Sequence, residues 1–215
     1  MQPPLKKSRP YDDAPRIPSP VTEGEHIALT ALVSGNWFEV EIGPGRGGFL
    51  LERAEAAKEA ALIGLEIRRK WATLVDRRLE KAGYAKRARV FAEDAKFALT
   101  KLGPDDSVRV VYLHFPDPWW KKRHQKRLVM GATVLDEIHR LLSPSGELYV
   151  QTDVEERAHH YESLLSQDTR FVAAGDEVKS PWMAENPYGA RSPREHRAIA
   201  DGLPIFRLRY RKRIT

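Results

Sequence analysis

His114-Phe115-Pro116-Asp117-Pro118-Trp119-Trp120, followed directly by Lys121-Lys122-Arg123-His124-Gln125-Lys126-Arg127, sets one carboxylate between two prolines, adds two indoles, and places five cations within the next seven residues. Proline fixes its own φ, donates no backbone hydrogen bond and steers the preceding residue out of helix. Asp117 is therefore expected in a rigid, extended turn. An immobile acid, a stacking surface and a basic apron suit an enzyme that grips a nucleobase with phosphates close by. Residue types alone fit equally well a proline-rich surface turn leading into a solvated basic helix.

A second constellation is Glu41-Ile42-Gly43-Pro44-Gly45-Arg46-Gly47-Gly48. Glycines let a backbone turn sharply and approach a ligand that a Cβ would exclude. Gly43, Gly45 and Gly48 also satisfy the GxGxxG dinucleotide fingerprint, so the loop alone decides little. The acids around it narrow the choice. Glu66 lies 23 residues after Gly43, where a carboxylate can take two ribose hydroxyls. Asp94 follows the next apolar stretch and is placed to meet an adenine amino group. Glu41 stands where a cationic amino-acid moiety could lie. An acid at that tip would repel a pyrophosphate, whereas S-adenosylmethionine carries no phosphate and presents an ammonium and a sulfonium. The sign of the charges therefore favours the sulfonium cofactor.

These residues need elements to hold them. Apolar runs predict strands at 37–42, 60–65, 89–91, 108–115 and 147–152. Helices are predicted at 48–58, 68–82, 129–142 and 154–166, the third ending at the Ser143-Pro144-Ser145-Gly146 stop signal. Such alternation implies βαβ units, a parallel sheet and right-handed crossovers. A sixth strand is predicted at 170–173, then a polar, proline-rich stretch over 180–204. At 205–211, Phe206, Leu208 and Tyr210 alternate with Arg207, Arg209 and Arg211. That period of two marks a strand with one wet face, suited to an antiparallel position late in the sheet.

With 215 residues, 41% hydrophobic and 31% charged, the chain fits one α/β domain. Residues 1–22 hold six prolines with Lys6, Lys7, Arg9 and Arg16, and are expected to form a flexible arm before a domain spanning 23–215. Net charge +6 favours a polyanionic partner. With no cysteine, disulfides, thiolate zinc sites and thiol nucleophiles are excluded together. The seven histidines are scattered apart from His159 and His160, adjacent on a predicted helix, so no metal is assigned. No apolar run reaches the ~18 residues of a membrane span, and the expectation is a soluble, cytoplasmic protein. Nothing indicates an obligate protein partner; a monomer or homodimer is expected.

EIGPGRGGFL, GLEIRRK, the Glu93-Asp94-Ala95 step, HFPDPWWKKRHQKRL, Gln151-Thr152-Asp153 and SPREHRAIADGLPIFRLRY occur in the order seen in bacterial tRNA (guanine-N7-)-methyltransferases. The resemblance spans about 38–211. It implies the Rossmann-like S-adenosylmethionine-dependent methyltransferase fold, a seven-stranded, mostly parallel sheet with an antiparallel last strand. It also implies methylation of N7 of guanosine 46 in the variable loop of tRNA. Glu41, Glu66, Asp94 and Asp117 resemble the cofactor-site acids, with Gly43 and Gly45 in the loop, and Asp117 is also the implied catalytic residue. Lys121 and Asp153 resemble substrate-binding positions, as do Ser192 and Glu195 of a motif that is usually Thr-x-x-Glu. Serine keeps the hydroxyl and loses a methyl. Trp120 and Leu128 are further departures, the second removing one expected phosphate contact.

Guanine N7 carries an in-plane lone pair on the major-groove edge, so transfer to it needs no general base. The expected work is alignment and electrostatics: Asp117 orients the base and offsets the charge appearing on it. The basic run, Arg191, Arg194, Arg197 and the arginines of the last strand are expected at tRNA phosphates. Glu195 could instead pair with Arg197, and Asp153 could cap the helix that follows it. Three rivals remain at this stage. Asp117-Pro118-Trp119 partly resembles the turn of amino-group methyltransferases without its second proline. A non-catalytic RNA-binding protein would not need the acidic set, and an NAD-dependent oxidoreductase would need a hydride-transfer constellation that is not apparent.

Overall fold

The computed structural model describes residues 11–20, 22, 24–116 and 130–214. Asp117, Lys121 and the rest of the basic run lie outside the described residues, as do residues 1–10. In chain order the elements are β1 (Ile27–Ala28), β2 (Trp37–Ile42), α1 (Gly48–Ala56), β3 (Ala60–Leu65), α2 (Arg69–Lys81), β4 (Ala88–Phe91), α3 (Ala95–Ala98), β5 (Leu102–Gly103), β6 (Val108–His114), α4 (Ala132–Leu141), β7 (Leu142–Thr152), α5 (Glu155–Ser166), β8 (Phe171–Ala173), α6 (Pro193–Ala200) and β9 (Phe206–Lys212).

Seven strands form one sheet in the order β4-β3-β2-β6-β7-β9-β8, and β1 pairs separately with β5. β2 is parallel to β3 and β6, β3 to β4, and β6 to β7. β9 enters between β7 and β8 antiparallel to both, as the alternation in its sequence predicts. β3, entirely apolar, is buried along its whole length, the pattern of a parallel strand covered on both faces.

The two faces of the sheet differ in chemistry. On one, Val40, Ile42, Val111, Leu113, Leu148 and Val150 meet Leu135, Ile138 and Leu141 of α4 and Leu165 of α5 in an aliphatic core. On the other, Leu62 and Val90 are covered by Leu50 and Ala54 of α1 and Val75 and Leu79 of α2. Nearer β9 this second face becomes aromatic, with Phe49, Tyr112, Tyr149 and Tyr188 clustered together.

Three expectations change. First, residues 11–20, assigned by composition to the arm, lie against the domain. Ala14 and Ile17 are buried, Ala92 N donates to Pro15 O at 2.7 Å, and Arg16 pairs with Glu93 at 3.0 Å. Two apolar anchors and three ion pairs, the others being Asp12 with Arg69 and Asp13 with Arg77, hold what composition reads as free. Second, the stretch 180–204 contains α6. Its start is a capping arrangement: Ser192 Oγ accepts from Glu195 N at 3.2 Å, with proline in the first turn. Third, the wet face expected on the last strand is covered at one end and open at the other. Arg207 is only 8% exposed, Arg209 Nε donates to Ala174 O at 2.5 Å, and Arg211 holds Glu147 at 2.9 Å. These arginines have partners inside the chain, and of the three only Arg211 remains exposed.

Buried tyrosines tie stability to pH. Burial pushes Tyr161 up to about 12 and, with Glu162 nearby, Tyr210 up to about 12. Burial also raises Tyr112, with Glu39 adding to the shift, and Tyr188, with Glu147 adding. A folded-state pKa above the unfolded value near ~10 stabilises fully below that pH and is lost as pH rises through the folded value. Between about pH 10 and 12, tyrosinate absorbance of these residues is therefore expected to appear together with loss of helical ellipticity. Their titration near ~10 with the fold intact would contradict their burial.

Candidate active site at the ends of the parallel strands

β2 sits at the switch point of the sheet, with β3 on one side and β6, reached later in the chain, on the other. Ligands of open α/β sheets bind outside the carboxyl ends of the strands at such a point. Here a cavity of about 1230 Å³ opens there, lined among others by Glu41, Gly43, Gly45, Glu66, Asp94, His114, Phe115, Pro116, Asp153 and Ser192. Residues up to 162 positions apart in sequence, Glu41 and Leu203, thus meet around one space.

The glycine loop joins β2 to α1. Gly43 has φ +72, and a Cβ there would meet no protein atom within 4 Å. Its backbone conformation favours glycine, and the space beside it opens to the cavity among the described residues. Gly48 is the opposite case: a Cβ would lie 2.5 Å from Pro193 Cγ, so glycine there lets α6 close against α1.

Each acid has a different environment. Glu66, 2% exposed, ends β3 and holds the loop: Oε2 accepts from Gly45 N at 2.9 Å. Its Oε1 accepts from Arg68 N at 2.9 Å and Arg68 Nε at 3.1 Å. A carboxylate has roughly four acceptor positions, which leaves room for a ligand hydroxyl. Asp94 caps α3, its Oδ1 accepting from Lys96 N at 3.0 Å. Glu39 and Glu41 make the most informative pair, since they share one strand and one face. Glu39 is saturated by Arg53 Nε and Nη2, Tyr112 Oη and Trp37 Nε1 at 2.7–2.9 Å, and is structural. Glu41, equally buried, has His114 Nδ1 at 2.9 Å, while its Oε2 finds no partner among the described residues. A buried carboxylate held by so little attracts positive charge from whatever occupies the cavity beside it.

Asp153 does not cap α5; Val154 holds the cap position without a side-chain bond. Instead Arg194 of α6 grips the Asp153 carboxylate with both Nε and Nη2 at 2.9 Å, and its guanidinium lies 5.4 Å from the Phe115 ring centroid. Ser192 caps α6 at the cavity wall. Glu195 is not among the lining residues: it is 0% exposed, pairing with Arg207 Nη2 at 3.1 Å rather than with Arg197, and accepting from Asn186 Nδ2 at 3.0 Å. Sequence reasoning missed Arg46, Arg68 and Lys96 on the cavity rim, although Arg68 stands two residues after Glu66. It also gave His114 no role. Among the described residues, no group of His, Asp and Glu could hold a metal ion, and no helix is long and apolar enough to cross a membrane.

Residues 36–208 match the family described as "Putative methyltransferase". A protein from Myxococcus xanthus named tRNA (guanine-N(7)-)-methyltransferase is 34% identical over 174 residues, 81% of this chain and 82% of that protein. A protein of the same name from Anaeromyxobacter dehalogenans is 36% identical over 176 residues, 82% and 86% of the two chains. The chain belongs to the tRNA (guanine-N(7)-)-methyltransferase family. The solved structure of a SAM-dependent O-methyltransferase from Thermotoga maritima superposes with a TM-score of 0.52 at 16% identity, over 87% of this chain and 63% of that one, and shows the shared fold. In this member of the tRNA (guanine-N(7)-)-methyltransferase family, Glu41, Glu66, Asp94 and the glycine loop line one cavity at the strand ends.

Proposed function

We propose that this protein transfers a methyl group from S-adenosyl-L-methionine to N7 of guanosine 46 in the variable loop of tRNA, in the cytoplasm. The observation that supports it most is the set Glu41, Glu66 and Asp94 around a glycine loop in one cavity, in a member of this family. The residues fit the donor. Glu41, with its unpartnered Oε2, sets negative charge beside an ammonium; Gly43 and Gly45 leave space for the amino-acid moiety. Glu66 takes ribose hydroxyls and Asp94 the adenine amino group. When bound, S-adenosyl-L-methionine supplies an electrophilic methyl on a positive sulfur.

The protein's own part is placement. N7 already carries its lone pair, so no residue has to remove a proton before transfer. Asp117 holds the guanine by its ring NH or amino group and offsets the positive charge that appears on the purine. Lys121, Asp153 and Ser192 position the substrate, and the rim cations Arg46, Arg68 and Arg197 face its phosphates.

Incubating the purified chain with unmodified tRNA and labelled donor, then analysing the nucleosides, is expected to place the label in 7-methylguanosine at position 46. Label in a methylated amino group, or none, would overturn the reading. Affinity for tRNA is expected to fall steeply from low to moderate salt, since each neutralised phosphate releases counterions. A salt-independent affinity would refute the phosphate contacts.

A further inference from the structure

Among the described residues, the buried side-chain nitrogen and oxygen atoms without a hydrogen-bond partner are Glu41 Oε2, His114 Nε2, Gln151 Nε2 and Arg207 Nε. They are not scattered. Glu41 lies on β2, His114 on β6, Gln151 on β7 and Arg207 on β9, four strands adjacent in the sheet. His114 is the register partner of Gln151, and Gln151 that of Arg207, while the His114 ring meets Glu41 at 2.9 Å. Register partners point to the same face, so the four form one row beneath the cavity. The row runs from the glycine loop to the buried Glu195–Arg207 pair under α6. Aromatic rings wall it: Phe49 is 4.2 Å and Tyr149 5.8 Å from the His114 ring centroid.

Buried polar atoms are nearly always paired, if not with protein then with ordered water. The donors and acceptors here are complementary. The Tyr149 hydroxyl donates to Gln151 Oε1 at 3.1 Å, which fixes the amide orientation and leaves Gln151 Nε2 as a donor. An ionised Glu41 only accepts, so His114 Nδ1 carries the hydrogen, and Nε2 is an acceptor if that is the ring's one hydrogen. We infer that a buried water, accepting from Gln151 Nε2 and donating to His114 Nε2, makes His114 and Gln151 positioning residues for Glu41 and through it for the methyl donor. The link to the donor rests on the function proposed above; the water and the tautomer do not. His114 then acts as a spacer of fixed polarity. It holds Glu41 Oε1 and stays neutral, so that the negative charge of Glu41 is offered to the ligand instead of being cancelled inside the protein.

Nitrogen NMR of the histidine-labelled full chain tests the first part. The His114 signal, assigned by its loss in His114→Asn, is expected to show a neutral ring with hydrogen on Nδ1. An imidazolium, or hydrogen on Nε2, would overturn the inference, as would a high-resolution crystal structure with no water bonded to both side chains. Gln151→Met keeps the volume, removes the donor and alters a residue outside the cavity lining. It is expected to leave hydrogen on Nδ1, held there by Glu41, but to shift the His114 Nε2 resonance as its water is lost, and to weaken S-adenosyl-L-methionine binding about tenfold by calorimetry, the worth of one buried hydrogen bond. An unchanged Nε2 resonance and affinity, with only a lowered melting temperature, would reduce Gln151 to a structural role. Should Gln151→Met fail to fold, His114→Asn, which keeps a donor toward Glu41, is expected to bind the donor better than His114→Ala; equal binding would overturn the link. If the wild-type chain binds no donor while the tautomer is as expected, the function is at fault and the buried water stands.

Discussion

Asp117→Asn is expected to slow single-turnover methylation about 100-fold at saturating donor and tRNA, the scale on which one preorganised electrostatic contact acts at a transition state. Asparagine keeps the shape of the side chain and one acceptor oxygen for the guanine edge; what it removes is the charge and the second acceptor. Positive charge grows on the purine only as the methyl arrives, so the loss appears in the chemical step more than in binding. Phe115 and Pro116, the two residues before Asp117 in sequence, line the cavity, which is why this carboxylate is chosen. Quenched-flow measurement with labelled donor provides the check. A wild-type single-turnover rate would mean that orientation by shape alone suffices and that the carboxylate charge is idle.

The second large effect is on stability. Glu195→Ala leaves Arg207, 8% exposed, without the carboxylate that faces it. Breaking a buried pair by removing one partner costs about 3–5 kcal/mol, and at ~2–4 °C per kcal/mol for a chain of this size the melting temperature is expected to fall by about 10 °C. Calorimetric unfolding measures it. A direct substrate contact predicts the reverse: an unchanged melting temperature with a raised KM for tRNA. The structure favours the first outcome, since Glu195 is 0% exposed and α6, which it anchors from within, carries Ser192 and Arg194 to the cavity wall.

How much of this was legible depended on whether the signal was local. β3 was readable to the residue because a continuous apolar run bounded by turn residues is what a buried parallel strand requires, and β2 because its apolar residues alternate with Glu39 and Glu41. The glycine loop and the acids at the strand ends were readable because their chemistry survives without coordinates. α6 was not, since its inward residues are Glu195 and Ala198; a helix that buries a charge leaves no apolar period to detect. The arginines of β9 looked wet because their partners, Glu147, Glu195, Ala174 and Ala184, sit 12–64 residues away. Likewise the Glu41–His114 bond joins residues 73 apart, and sequence spacing says nothing of register between strands.

The unlike faces of the sheet bear on how this protein can be made hardier. On the aliphatic side a residue has only to be greasy and of suitable volume, so exchanges among valine, isoleucine, leucine and methionine are tolerated there. A library aimed at heat resistance belongs on that side. Opposite, Glu39, Tyr112, Tyr149, Gln151 and Arg207 each answer to a named neighbour, and a lone replacement strands the group it leaves behind. Apart from Ile42, Leu65 and Leu113, which also line the cavity, thermal hardening and catalytic competence are therefore adjustable from separate sides of one sheet.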